Sequence, residues 1–397
     1  MTAIPVFLIL VAAVTPPVEV STLNGEQHVG ILERVTTEEV VLKTPTRSIS
    51  IPDKDLLAIR MAGSVPPSPV TGSSSTPVAM ADVRLTDGTR LRVTRFTSTT
   101  KQINIHHPQL GGLTLPLSVV QSVRLAAPDG KVDATWNHLL ERTPKKDQVA
   151  VRKSDVLDHL DGVIGSLDET TLNFQLDGDD IPIKRERLFG LIFAKRESTA
   201  AKTIASMELV SGDHLAAKSL TLEGDIWTIR LASGTDLTVP SSGVQVVDFS
   251  AGKIAYLSNM EPRDIKYSPY FEPIFVWKYH QDRGNELRPL SVGNKTYAKG
   301  LSIHSKTALK YRIGGDFRRF QAVMGIDDYV RVGGNVDVII KGDNRVLFRG
   351  SARMGQPPQP LDLDVTGVVE LEIDVGYGED ELDIGDWLHL GDAKVIK

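Results

Sequence analysis

The 397-residue chain contains no cysteine. That excludes disulfides, thiolate metal sites and a cysteine nucleophile, and leaves the compartment open. There is no excess of basic charge: 45 Lys and Arg stand against 50 Asp and Glu, for a net charge of −5 and a pI near 6.0. A general nucleic-acid binder needs a basic stripe for phosphates, so this balance argues against one. No apolar run reaches the roughly 20 residues a membrane-spanning helix requires. The sequence carries no GxSxG, HExxH, Walker loop or dinucleotide fingerprint. Its nine histidines show no HxH or HxxxH spacing, and His106-His107 sits before Pro108 where a turn is expected. The expectation is a protein without catalytic activity.

Residues 4–14, IPVFLILVAAV, are apolar and followed by Thr15-Pro16-Pro17. Too short to span, this run fits the hydrophobic core of a secretory signal over residues 1–17. The expected location is secreted, periplasmic or cell envelope, with no transmembrane segment after signal removal.

Four stretches of about 45 residues then share one pattern, over 18–61, 81–125, 147–193 and 204–249. Turn residues recur near each start: Asn24-Gly25, Asp87-Gly88, Asp161-Gly162 and Ser211-Gly212-Asp213. Apolar positions coincide, with Ile31, Leu32, Val35, Val40 and Leu42 matching Val163, Ile164, Leu167, Leu172 and Phe174. Each stretch has a proline after an apolar residue (Pro52, Pro116, Pro182, Pro240) and then a short apolar run. Short alternating runs bounded by turn dipeptides read as antiparallel strands. A proline suits the end of a strand, where no amide donor is needed. Each stretch is expected to be a small SH3-like or Sm-like β-barrel. Units of this size bury little surface alone, so neighbours should pack on one another or on the C-terminal region.

Between them, residues 62–80 are rich in Pro, Ser, Gly and Thr and read as a flexible linker. Residues 126–146 form a second linker with one short helix, with Asp133 as N-cap and Trp136, Leu139 and Leu140 as its apolar stripe.

From residue 254 the repeat ends and aromatics cluster: Tyr256, Tyr267, Tyr270, Phe271, Phe275, Trp277 and Tyr279. Alternation marks strands at LKYRI, FQAVMGI and VELEIDV, with Val369, Leu371, Ile373 and Val375 pointing inward in the last. About eight antiparallel strands in a jelly roll are expected. The fold class is therefore all-β: barrel repeats, then a β-sandwich over 254–397.

Several blocks here have a recognisable order. They are Tyr256-Leu257-Ser258 with Glu261-Pro262, Tyr297 to Ser305 (YAKGLSIHS), and Phe320 with Gly325-Ile326-Asp327-Asp328. Then come Gly342-Asp343, Val346-Leu347-Phe348, Leu361 to Val365, Gly367, Glu370-Leu371 and the terminal Gly391 to Ile396. This region resembles the NPCBM family, modules appended to glycoside hydrolases and other exported bacterial proteins. The resemblance implies a galactose-binding-like sandwich that holds sugar without cleaving it. At the position where the family often has an aromatic residue this chain has Leu390, and Trp387 is the nearest tryptophan.

Sugar binding needs an aromatic face for the apolar side of a pyranose and polar groups for its hydroxyls. The candidates are Trp277, Tyr279, His304, Asp327, Asp328, Tyr329 and Trp387. Nine acids fall between Glu370 and Asp392 with no Lys or Arg among them. Glu372, Asp386 and Asp392 are the carboxylates offered for a structural calcium, against the alternative of a solvated acidic face. No other cofactor is expected. The expected partner is a glycan or polysaccharide, with envelope proteins as further partners and no nucleic acid. The rival reading is a structural or protein-interaction component of the envelope whose sandwich no longer binds sugar.

Overall fold

The computed structural model describes residues 17–61, 81–142, 144–194, 202–270 and 276–397. The expected signal, apart from its last residue, and the expected linker over 62–80 lie outside the described residues, as do Phe271 and Phe275. The architecture is all-β with one α-helix among the described residues. Two compact units divide the chain, residues 1–251 and 252–397.

In the first unit the matching apolar positions have the same structural meaning. Strand Gln27–Val35 pairs with Glu39–Lys43 through Leu32↔Leu42 and Val35↔Val40, with a register shift between them. Strand Val156–Leu167 pairs with Thr171–Leu176 through Ile164↔Phe174 and Leu167↔Leu172, again across a shift. All eight side chains are buried. The first apolar position of each set is not: Ile31 is 40% and Val163 54% exposed. Alternation explains this, since neighbours on a strand point to opposite faces, and the bulge that follows lets Leu32 and Val35, or Ile164 and Leu167, three apart, both point inward.

Within residues 18–61 the first strand, Val18–Thr22, pairs with both Gln27–Val35 and Leu56–Met61. Strand Ser48–Pro52 pairs with Glu39–Lys43, and a 3-10 turn at Asp53–Asp55 leads into the last strand. Pro52, Pro116 and Pro240 end their strands and lead into such turns with φ near −60°. Pro182 differs: it lies inside strand Asp179–Lys184, opposite Asn173. Among the described residues that strand pairs only with Thr171–Leu176, an edge position where proline is tolerated.

The four stretches are joined by their last strands. Leu56–Met61 pairs with Val244–Asp248, and Val120–Arg124 with Leu188–Ile192. One apolar cluster runs through all four, from Val18 to Phe249.

The helix spans Asp133–Glu141. Val132, not Asp133, is its N-cap, and the Asp133 carboxylate accepts the Asp129 amide at 3.0 Å and the Arg124 guanidinium at 2.5 Å. Trp136 packs edge-on against Phe189 with centroids 5.5 Å apart. A Cβ at Gly190 would stand 2.5 Å from the Trp136 ring, so the strand beneath needs glycine there.

The second unit is a two-layer sandwich. One sheet has the order His280–Gln281, Gly300–His304, Trp387–Ile396, Arg319–Ile326, Gln359–Asp364, with Ile254–Tyr256 added to the Trp387–Ile396 strand. The facing sheet has the order Asp264–Tyr267, Thr307–Arg312, Glu370–Val375, Asn335–Gly342, Arg345–Arg353. Leu309, Tyr311, Phe320, Met324, Val338 and Ile373 fill the space between. Val369, expected inside, precedes its strand and is 41% exposed. A hairpin of Leu290–Val292 and Lys295–Tyr297 packs as a small cluster with Val323.

Candidate functional site

The site follows from alternation in two neighbouring strands. In Gly300–His304, Leu301 and Ile303 enter the core, which sends Ser302 and His304 to the other face of the sheet. In Trp387–Ile396, Leu388 and Leu390 enter the core and Trp387 and His389 take that same outer face. The register sets His304 opposite Trp387 and Ser302 opposite His389. Leu390 is fully buried and packs in the core.

The hairpin covers one part of this outer face. Tyr297 lies on Gly391, where a Cβ would be 2.7 Å from its ring. An aromatic cluster covers another part. Trp277 stacks on His304 at 5.1 Å between centroids, and the edge of Trp387 meets His304 at 4.8 Å and Trp277 at 5.6 Å. His280, on the edge strand, stacks on Trp387 at 5.6 Å. His304 and Trp387 are 2% and 6% exposed, while Trp277 and His280 are half-buried. Beside them is a groove of about 400 Å³, lined among the described residues by Ile265, Tyr267, Trp277, Tyr279, His280 and Thr307, with Lys278 and Arg283 at the same opening.

Three imidazoles near this face are held toward their neutral forms. Burial pushes His304 down, against the pull of the Ser305 carbonyl and Asp383. Burial, then the charge of Arg283 and then His389, pushes His280 down. His389 is also lowered by burial, although Asp327 and the Ser291 carbonyl pull the other way. Its Nδ1 donates to that carbonyl at 2.9 Å. Its Nε2 has no hydrogen-bond partner and stands 3.6 Å from Asp327. Neutral, stacked rings present faces and edges, not charge.

Trp277, His304 and Trp387 are therefore brought together. Asp327 reaches the same end of the sheet, its amide donating to the Trp387 carbonyl at 3.0 Å, but its carboxylate caps the Tyr329 amide at 2.9 Å. Asp328 is occupied elsewhere, accepting from the Gly293 amide at 2.8 Å, the Asn294 amide at 2.9 Å and the Ser291 hydroxyl. It holds the hairpin turn. Tyr329 is 40% exposed with Arg288 5.3 Å over its ring. Tyr279 lines the groove but also packs on the core, where burial pushes its phenol up.

The three acids offered for calcium are not gathered. Glu372 lies on the other sheet, bonded to Lys341 at 2.8 Å and 3.2 Å from Lys310. Asp392 faces Lys394 at 3.3 Å. Asp386 is fully buried and accepts from the Ser305 hydroxyl at 2.7 Å and the Asn335 amide at 3.0 Å. Burial pushes its carboxyl up to about 6 against those two bonds. Among the described residues no group of three acids or histidines is placed to hold a metal.

His280, Arg283 and His389 belong to this face and were not singled out from the sequence. His389 was within reach, because it lies two residues from Trp387 on the same strand and shares its face. His280 was hidden beside Tyr279 on a two-residue strand that no periodicity marks.

Residues 255–396 match the NPCBM/NEW2 domain. The NPCBM unit is thus the last third of the chain, and the resemblance read from its motifs holds. Among curated proteins, 102 residues are 28% identical to a Renibacterium salmoninarum protein named "Putative endo-alpha-N-acetylgalactosaminidase", covering 25% of this chain and 7% of that protein's length. Among solved structures, a CBM51 module from Clostridium perfringens in complex with methyl-galactose is 19% identical, covering 36% of this chain and 99% of that one, with a TM-score of 0.32. Tandem CBM51 modules of a family 98 glycoside hydrolase from Streptococcus pneumoniae are 12% identical, covering 62% and 88%, with a TM-score of 0.31. No described helix is long and apolar enough to cross a membrane.

Proposed function

We propose that the NPCBM unit binds a glycan in the groove beside Trp277 and releases it unchanged, with residues 17–251 acting as spacer or partner platform. The observation that carries this reading is the ring cluster of Trp277, His280, His304 and Trp387. Two buried rings hold two half-buried ones rigid at the rim of a groove. A preset aromatic surface is what the apolar face of a sugar ring stacks on, at little entropic cost. Carboxylate-pair hydrolysis gets no support from the groove, whose described lining includes no Asp or Glu. The apolar run at residues 4–14 supports export to the cell envelope or beyond.

The rival, an envelope protein whose sandwich no longer binds sugar, draws on the burial of His304 and Trp387, which leaves only two of the four rings to a ligand. Screening the full chain on a glycan array, followed by calorimetry on the hits, separates the two. The proposal expects a hit whose affinity falls at least about tenfold in Trp277→Ala, the loss of one stacking contact. Absence of binding to every glycan, with and without calcium, gives the rival.

A further inference from the structure

The charge in the described lining of this groove is one-sided, with Glu261 near enough to act on Tyr279. The chain as a whole is acidic, yet Lys278 and Arg283 are the charged side chains in the described lining of the groove. Both are exposed, and among the described residues neither has a carboxylate partner. The acids nearest in sequence are already engaged. Asp282 accepts from Lys299 at 2.7 Å and from the Gly300 amide at 3.1 Å, and Glu286 accepts from Arg288 at 2.6 Å. Arg283 is close enough to His280 to push its imidazole further toward the neutral form. A second observation points to an occupant. Thr307 lines the groove and is 2% exposed, and its Oγ1 has no hydrogen-bond partner. A buried hydroxyl without a partner is costly unless something outside the chain satisfies it.

We propose that the ligand of this groove is an acidic glycan, one carrying a uronate carboxylate or a sulfate. Its anionic group would sit between Lys278 and Arg283 while a sugar face rests on Trp277. This deepens the glycan-binding reading and rests on it. The physical reason is that a guanidinium and an ammonium without an internal partner attract an anion at no desolvation cost to an existing ion pair. Arginine also offers two parallel donors to a planar carboxylate or to sulfate. An uncharged sugar would leave both cations unused.

The test takes the full chain and pairs of polysaccharides: polyuronates with their carboxyl-reduced forms, and sulfated polysaccharides with their desulfated forms. Polyglutamate serves as an anion with no sugar. Binding to at least one acidic member is expected to exceed that to its neutral counterpart about tenfold, the worth of one charge-assisted pair. Raising the salt should erode the preference. Arg283→Glu and Lys278→Glu should abolish it, while Arg349→Glu, exposed on strand Arg345–Arg353, should leave it unchanged. The three positions are exposed, and circular dichroism checks that each variant folds. Which kind of pair responds tells carboxylate from sulfate. Equal binding to acidic and neutral members would overturn this inference and leave the sugar-binding reading standing. Polyglutamate binding that survives Trp277→Ala would overturn it as plain ion exchange. Silence on every polysaccharide would overturn this inference, and silence on the whole glycan array as well would remove both readings.

Discussion

The two units bury polar side chains for different ends. In residues 17–251 such groups tie one stretch of the repeat to another. Asp213, in the turn of the fourth stretch, accepts the Arg92 amide of the second at 2.6 Å and bonds His107 at 2.9 Å. Asp87, half-buried in the turn of the second, accepts the Ser233 amide of the fourth at 2.7 Å. Thr89 accepts the Ala216 amide, and Ser98 accepts the Leu167 amide of the third stretch. The turn acids of stretches two and four thus reach into each other. In residues 252–397 the buried polar groups gather instead toward one end of one sheet: Ser302, His304, Ser305, Asp327, Asp386 and His389. Two of these keep an atom without a partner, Ser302 Oγ and His389 Nε2. Buried polar atoms bonded between segments act in assembly, although the first unit also holds unpartnered ones at Gln148 Oε1 and Trp227 Nε1. A concentration that leaves some unbonded marks a place where folding stability has been given up, and such places are where ligands are sought.

The largest effect that probes this contrast is Asp213→Ala. Burial alone would raise the Asp213 carboxyl, but the bonds from His107, Ser211 and the Arg92 amide outweigh it and hold it below the ordinary carboxylate range. His107 is fully buried and its Nδ1 accepts the Gln109 and Leu110 amides at 3.1 Å, so Nε2 carries the hydrogen that Asp213 receives. Removing the carboxylate leaves that donor and the Arg92 amide unpaired in the core. A loss of about 3–5 kcal/mol is expected by urea unfolding. Hydrogen exchange should show strands Arg90–Val93 and His214–Glu223 losing protection first, and Asp213→Asn should cost less because it keeps one acceptor. If exchange instead rises evenly over residues 17–251, the carboxylate is not a local tie and the contrast with the second unit weakens.

How much of this could be read in advance depended on periodicity. Val40 and Leu42 are spaced by the strand period, as are Leu172 and Phe174, whereas Leu32 and Val35, like Ile164 and Leu167, are three apart across a bulge and were found by matching the two stretches. In the second unit the same rule put Phe320, Met324, Leu371 and Ile373 inside. What escaped were contacts that depend on distant chain. Asp87 and Asp213 look like ordinary turn residues, and nothing local shows that their carboxylates serve segments more than a hundred residues away. His107 was assigned to a turn, yet it ends strand Gln102–His107 and is fully buried. At the candidate site, Trp277 and Trp387 stood out as large aromatics, whereas Asp328 looked equally suitable and is consumed in a hairpin turn. A carboxylate's partners are set by tertiary structure, so residue type alone cannot separate a ligand from a cap.

A smaller effect tests whether the polar end of the second unit carries a stability cost. The Asp386 carboxyl is pushed up to about 6 by burial, from the ordinary 3.8 of an aspartate in the unfolded chain. An acid raised on folding stabilises the folded state in full below its unfolded value, and that share is lost as pH rises through the folded one. Wild type should therefore lose stability relative to Asp386→Asn between about pH 4 and about pH 7. Asparagine stays neutral and can still accept the Asn335 amide. Paired urea titrations across that range measure the difference, and a gap that does not change with pH would show that the buried acid carries no such cost.

The smallest effect belongs to a row of charged side chains on the opposite sheet that are partnered and wet. Lys341 sits between Glu372 at 2.8 Å and Asp374 at 3.7 Å, with Lys310 completing the row, and all four side chains remain partly exposed. Partly solvated pairs of this kind couple weakly because water screens them. A double-mutant cycle of Lys341→Ala and Glu372→Ala should return about 0.5 kcal/mol, shrinking further in 1 M salt. The value matters for where the ligand surface lies. A coupling of several kcal/mol that ignores salt would mean that this face is dry in solution, which requires something to cover it. The unit's functional surface would then be the charged sheet and not the groove beside Trp277, and the contrast between bonded and unbonded polar groups would have pointed to the wrong side of the sandwich.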